Sequence, residues 1–259
     1  MRTLVCVKRV PAPGAKINIT DDGLDVDSAV LGFTTSPHEE CAVEAAVQLR
    51  EAHDGETVVL TLGTELAEEQ LRYAASVGMT GAVLVRRDDD LPDWDPQRTA
   101  RAIAAAIAEL EATGGPFDLI LFGNESADAG GFQVGIRVAH ALDRPMVNAV
   151  KAIELGDAGD HVIARRETDE GHEIYELPLP ACLGVKEGIN LPRYPTMKGR
   201  LASKKLDITV IDAVDELGGL QRVRLVSPAE QVADTVILGD GPGAAPAVVD
   251  ILAELGVLP

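Results

Sequence analysis

Short apolar runs alternate with segments of helical period over the first 147 residues, and that alternation sets the expected fold. Residues 3–7 predict a strand, and Val43, Ala46 and Val47 then recur at helical spacing behind the turn signal Ser36-Pro37, completing one βα unit. Residues 57–62 predict a second strand, with Thr64 as N-cap of a helix that buries Leu71, Ala74 and Ala75. Residues 82–85 predict a third strand, and the acidic, proline-bearing run 88–96 a surface connection. Ile103, Ile107 and Leu110 then mark one face of an alanine-rich helix, and residues 117–122 predict a fourth strand, apolar but for Asp118. Strands that read as continuous apolar runs between helices are covered on both faces. The expectation is therefore α/β, a doubly wound, mainly parallel sheet with right-handed crossovers.

The pattern changes beyond Val150. Residues 161–166 and 172–177 flank Thr168-Asp169-Glu170-Gly171, which predicts an antiparallel hairpin. A Gly/Pro-rich link, 239–246, precedes Val248, Ile251, Leu252 and Leu255 at i, i+3, i+4 and i+7. That terminal amphipathic helix either folds back on its own domain or packs on a partner. Residues 182–205, CLGVKEGINLPRYPTMKGRLASKK, combine two prolines with a basic finish and read as a loop that meets another molecule.

Composition narrows the partners. With 259 residues, 46% of them hydrophobic, the chain can bury one substantial core. A formal net charge of −19 repels phosphate backbones and anionic lipid heads, which argues against nucleic acid and against a membrane surface. Cys6, Cys41 and Cys182 are far apart and form no CxxC pair, so neither a disulfide framework nor a zinc site is expected. The opening MRTLVCVKRV is too quickly charged for a signal peptide, and no run of about 18 apolar residues occurs. The expectation is a soluble cytoplasmic protein with no direct membrane insertion.

In an open parallel sheet, ligands bind beyond the carboxyl ends of the strands, where strand order reverses. Four segments are expected there: residues 6–13, 36–39, 62–64 and 123–135. The last is the richest. Small residues before a helix let backbone N–H groups approach an anion, and the helix N-terminus adds a favourable ~0.3–1 kcal/mol, which suits a phosphate. The segment is neither a Walker loop nor a GxGxxG fingerprint, and a plain glycine-rich connection with Asp128 as a cap has the same pattern. His38, His53, His140, His161 and His172 show no metal-binding spacing, and no pair of carboxylates is singled out as acid and base. Cys6, in a buried strand, reads as a small core residue rather than a nucleophile. Lys8 and Arg9 either neutralise a phosphate or leave the sheet into water. The cluster Lys198, Arg200, Lys204 and Lys205 is either a contact for an acidic partner or a solvated loop.

Five motifs occur in order: VCVKRVPAPGAKI, SPHEECAVEAAVQL, GNESADAGGFQVG, RRETDEG followed by LPAC, and INLPRYPTMKGRLASKK. Together they resemble the small (beta) subunit of electron-transfer flavoproteins over residues 1–211. Residues 212–259 take the place of that family's C-terminal arm around its large subunit. The resemblance implies an adenine-nucleotide-hydrolase-like fold and a heterodimer whose large (alpha) subunit holds the redox-active FAD. It implies an electron carrier without catalytic residues of its own. Electrons would pass from flavin dehydrogenases, such as the acyl-CoA dehydrogenases of fatty acid β-oxidation, to a membrane quinone oxidoreductase or similar acceptor. It also implies one structural AMP in this subunit. By motif, the AMP contacts fall on Cys6, Ser36, Pro37, His38, Glu39, Leu62, Gly123, Asn124, Glu125, Ser126, Ala127, Asp128, Ala129, Gly130, Gly131, Phe132, Gln133 and Val134.

The same resemblance makes residues 185–200 the loop that recognises partner dehydrogenases, with Ile189 as its exposed aliphatic anchor and Leu191, Pro192, Arg193 and Tyr194 beside it. The alternative for Ile189 is packing against its own domain. Leu191 replaces the family's usual glutamate, and Ser36 replaces a common asparagine at the helix entry. Gln133-Val134-Gly135 is similar to the electron-bifurcating branch, whose small subunit holds a second FAD in place of AMP, but Ala129-Gly130-Gly131-Phe132 and Ile136 break that branch's loop, so AMP is favoured. A stand-alone adenine-nucleotide sensor resembling universal stress proteins shares the sheet, yet gives the hairpin, the loop and the terminal helix no role.

Overall fold

The computed structural model describes residues 1–87, 94–216, 218–228 and 235–258. Residues 88–93 of the expected surface connection lie outside that range. β1 (Arg2–Cys6) is buried from Thr3 onward, as a strand covered on both faces must be. A small antiparallel pair, β2 (Val10–Pro11) and β3 (Phe33–Thr34), leads to α1 (Pro37–His53). Ser36 is the N-cap and Pro37 opens the helix, where a missing N–H costs nothing. Then follow β4 (Glu56–Gly63), α2 (Glu68–Val77), β5 (Gly81–Arg86), α3 (Pro96–Gly114) and β6 (Leu119–Gly123). Thr64 caps a short 3-10 turn at Glu65–Ala67 rather than α2 itself.

The two apolar layers follow strand alternation. Val5, Val59, Leu84 and Leu121 pack with Val43, Ala46, Val47, Leu71 and Ala74 from α1 and α2. Leu4, Leu60, Val83 and Ile120 pack with Ile103 and Ile107 from α3. α4 (Val134–Ala141) joins this second layer through Val138 and Ala139. Both sides of each central strand are therefore apolar, which is why the sequence shows uninterrupted runs.

The second half of the sheet departs from the sequence expectation. β7 (Met146–Leu155), β8 (His161–Thr168) and β9 (Gly171–Pro178) form an antiparallel meander, and Thr168 pairs with Gly171 across a two-residue turn where the hairpin is expected. The stretch expected to be a loop from Cys182 begins instead as β10 (Ala181–Val185), buried at every position between β6 and β7. α5 (Met197–Ser203) and β11 (Ile208–Asp212) follow. The nine-stranded order is β11-β5-β4-β1-β6-β10-β7-β8-β9, parallel from β11 to β7.

β10 and β11 lie in different halves of this sheet, so the chain between them has to cross it. It crosses on the α1/α2 side. The loop after β10 bonds to α1 and α5 packs on α2. A Cβ at Gly199 would sit 2.1 Å from the Ser76 carbonyl oxygen, so only glycine allows that approach of α5 to the end of α2. Arg72 of α2 donates to the carbonyls of Ser203 and Leu206, closing the crossing.

The chain divides into two compact units, Met1–Leu225 and the residues from Val226 onward. The second contains α6 (Ala245–Glu254), the helix expected from the terminal apolar spacing, and none of its residues is buried. Among the described residues no helix is long and apolar enough to cross a membrane.

Phe117 is the largest fully buried side chain, and the Arg2 guanidinium stacks on its ring at 3.9 Å. Phe117→Ala is expected to cost about 3–5 kcal/mol. Urea unfolding should show a lower midpoint at unchanged slope, and a loss below about 1 kcal/mol would show that the ring does not anchor this layer.

Candidate functional site

From β1 the chain builds outward through β4 and β5, then crosses by way of α3 to β6 on the other side of β1. The strand order thus reverses between β1 and β6, where a crevice opens at the carboxyl ends of an α/β sheet. Cys6 ends β1, Gly123 ends β6, and the first turn of α1 packs against both. A Cβ on Gly123 would lie 2.6 Å from the Glu39 side chain, so glycine is needed for that approach. Leu62 lies near the end of β4, one strand away, half-buried against the α3 layer.

Glu39 sits at the centre of this junction. Its carboxylate accepts from the backbone N–H of Ser36 at 3.1 Å and of Lys8 at 3.0 Å, joining the N-cap of α1 to the exit of β1. Burial raises its pKa to about 7 against these stabilising bonds. Burial also pushes the Cys6 thiol well up, with further upward pressure from Cys182 and Glu39. A thiol so protonated is a packing group, as the sequence suggests.

The loop from Asn124 to Gln133 runs over this junction. Asn124 is buried and donates its N–H to the Val185 carbonyl, while its Oδ1 accepts from Ala149, tying β6 to β10 and β7. Ala127 N–H donates to Ser36 Oγ at 3.0 Å, and Lys8 Nζ pairs with Asp128 at 2.5 Å. The region from Ala127 to Gln133 is exposed, with Gly130 and Phe132 both at φ +55°. α4 follows at once. Gly135 brings it close to β6, since a Cβ there would stand 3.0 Å from the Phe122 ring. A helix leaves its first N–H groups without intrahelical acceptors, and Gly131 has open space around its Cα. These features fit an anion such as a phosphate; the Lys8 ammonium is engaged by Asp128 of the same loop.

The expected docking loop is held on the other flank of α1. His38 Nδ1 accepts from Glu187 N–H at 2.7 Å, and Lys151 Nζ donates to the Glu187 carbonyl at 2.5 Å. Asn190 Nδ2 donates to the Cys41 carbonyl at 2.9 Å. Arg193 forks onto two carboxylates, Glu44 at 2.8 and 3.0 Å and Glu51 at 2.7 and 2.9 Å. Hydrogen bonds to Glu51 and Glu44 hold its pKa above the usual arginine range.

Of the two placements open for Ile189, the structure shows packing against its own domain. Ile189 is half-buried and packs against the α1/α2 layer, because the bonds of Asn190 to Cys41 draw the neighbouring backbone onto the helix. Pro192 and Arg193 likewise line a small cavity with Val43, Gln70 and Tyr73. Leu191, 89% exposed, and Tyr194, 90% exposed, are the residues that face outward. Lys198, Arg200, Lys204 and Lys205 are exposed on and after α5.

Residues 26–216 match the family model for the electron transfer flavoprotein domain. The chain belongs to the electron transfer flavoprotein family. It is 35% identical over 213 residues to the electron transfer flavoprotein subunit beta of Mycobacterium tuberculosis (strain H37Rv), covering 80% of this chain and 77% of that one. It is 36% identical over 214 residues to the subunit beta of Syntrophomonas wolfei, covering 82% and 80%. With the subunit beta of Bacillus subtilis (strain 168) it shares 30% identity over 259 residues, covering 97% of each. Within the electron transfer flavoprotein family the chain therefore groups with beta subunits.

Sequence reasoning missed the residues that hold the flavoprotein loop in place: Lys151, Cys41, Glu44 and Glu51. One signal was available for the last two. They lie seven residues apart on one helix, so both face the same side, and Glu44 is only 4% exposed. A buried carboxylate demands a partner, and Arg193 supplies it.

The Glu39 carboxyl gives a pH test. Its native pKa of about 7 exceeds the ordinary 4.5, so the native state keeps a proton that the unfolded chain has released. Its contribution to stability is most favourable below about pH 4.5 and is lost as pH rises through about 7. The stability advantage of wild type over Glu39→Gln is expected to shrink by on the order of 3 kcal/mol between pH 4.5 and 8. Urea midpoints of both proteins measure this, and a gap independent of pH would show an ordinary carboxylate.

Proposed function

We propose that this chain is the beta subunit of a heterodimeric electron transfer flavoprotein that accepts electrons from flavin dehydrogenases, acyl-CoA dehydrogenases among them. It passes them to a membrane quinone oxidoreductase or a similar acceptor. The observation that carries this reading is the double use of α1. One side of its first turn meets the glycine-rich loop at the β1/β6 crevice, and the other side bonds the loop that presents Leu191 and Tyr194.

In this reading the partner alpha subunit holds the FAD, and that flavin supplies the electron chemistry. This chain's residues bind and orient. The N–H groups at Gly131 and the first turn of α4, with Lys8, hold the phosphate of a structural AMP. Ser36, Glu39 and Asn124 fix the walls of its crevice. Leu191 and Tyr194 enter the partner dehydrogenase, and the basic residues on and after α5 favour an acidic rim around that contact. The apolar spacing of α6 suits an arm on the alpha subunit. Gln133-Val134-Gly135 keeps a second reading alongside this one, with a second FAD in the AMP position.

Co-expression with the alpha subunit is expected to yield a yellow one-to-one complex that releases one AMP and one FAD on denaturation. Two FAD would establish the bifurcating arrangement, and failure to associate would overturn the assignment. Leu191→Ala is expected to raise the KM for a partner dehydrogenase about tenfold at unchanged flavin content, since a central exposed anchor carries about 1.4 kcal/mol or more. Loss of flavin from that variant would instead make Leu191 a structural residue.

A further inference from the structure

His38 is the side chain that touches both loops. Its Nδ1 accepts from the Glu187 backbone N–H at 2.7 Å, so that nitrogen carries no proton and the neutral ring holds its proton on Nε2. Nε2 faces Glu125 Oε1 at 3.5 Å, an electrostatic contact longer than a tight hydrogen bond. Glu125 lies in the glycine-rich loop two residues after β6, and Glu187 lies two residues after β10. The Glu187 residue is thus gripped at both ends, its N–H by His38 and its carbonyl by Lys151.

Gly188 follows at φ +85°, where the docking loop turns. A Cβ there would stand 2.9 Å from Lys151 Nζ. Beyond this turn the loop is fastened to α1 by Asn190 and Arg193. The N-terminal root of the docking loop is therefore the part that shares a side chain with the nucleotide crevice. His38 is partly covered, its side chain 15% exposed, so its ring has little freedom once both contacts form.

We propose that His38 is a positioning residue that couples nucleotide occupancy to the order of the docking loop. The inference rests on the nucleotide reading given above. A ligand that orders residues 124–133 fixes Glu125. Glu125 then fixes the Nε2 side of the ring, and the ring presents Nδ1 to Glu187. Linkage makes the effect reciprocal, so docking-loop order strengthens nucleotide binding by the same factor. A shared side chain with one hydrogen bond and one longer polar contact supports a coupling of about fivefold.

The test uses the heterodimer with its alpha subunit, freed of nucleotide by dialysis, as wild type, His38→Phe and His38→Asn. Calorimetry measures AMP binding, and amide hydrogen exchange follows residues 186–194 with and without AMP. In wild type, AMP is expected to slow exchange in this segment about fivefold. His38→Phe keeps a ring but no acceptor, so the segment should exchange fast in both conditions. His38→Asn keeps an acceptor near the Nδ1 position and loses the reach to Glu125, so AMP should no longer slow exchange, and a wild-type response in this variant would also overturn the coupling. An AMP effect in His38→Phe equal to that in wild type, or none in wild type that binds AMP, would overturn the coupling. Failure of all three heterodimers to bind AMP would overturn the nucleotide reading and the coupling with it.

Discussion

A parallel strand cannot follow its neighbour through a tight turn, and in this chain the last parallel crossover is the longest constraint of all. β10 enters the sheet beside β6, whereas β11 must reach the edge beyond β5. The intervening residues have to pass over the α1/α2 layer. That passage places the loop after β10 on α1 and α5 on α2, and it makes α1 the common wall of that loop and the β1/β6 crevice. The sheet order of this flavoprotein chain thus determines where Leu191 and Tyr194 are exposed.

Two buried carboxylates on α1 show how differently one helix can meet a single cost. Glu39 is held by backbone donors, and burial raises its pKa to about 7 even though those bonds and the Lys8 charge pull the other way. Glu44, one turn and a half further along, meets the forked guanidinium of Arg193. The first solution ties strand ends together inside the domain. The second clamps a crossing segment to the outside, where a planar fork also fixes direction.

What could be read from the sequence follows from how local each signal is. β1, β4, β5 and β6 are continuous apolar runs, and α1 to α3 show their stripes, because burial on both faces leaves a pattern within a few residues. β10 was hidden. Its five residues include Gly184 and adjoin Pro180, so proline and glycine concealed a strand buried at every position. β7 was hidden for a different reason, since its pairing changes from parallel to antiparallel along its length and its burial is irregular. The crevice segments were legible because strand ends in a parallel sheet share one edge. The clamps were not, as His38 with Glu187 and Glu44 with Arg193 are each 149 positions apart. The inward turn of Ile189 depends on these same distant contacts, and local sequence could show only that the segment held apolar residues next to prolines.

The outer edge of the meander has a consequence for how this molecule meets others. β9 ends the sheet, and an edge strand ordinarily offers its backbone to any passing chain. Here the strand carries His172, Glu173 and Glu176 and finishes at Pro178, which has no N–H to offer. Arg166 covers part of it by pairing with Glu173. An incoming strand would meet charge and a missing donor instead of a continuous ladder. Recognition at this end must therefore proceed through side chains, whose identity can discriminate one partner from another, whereas a bare backbone would accept many.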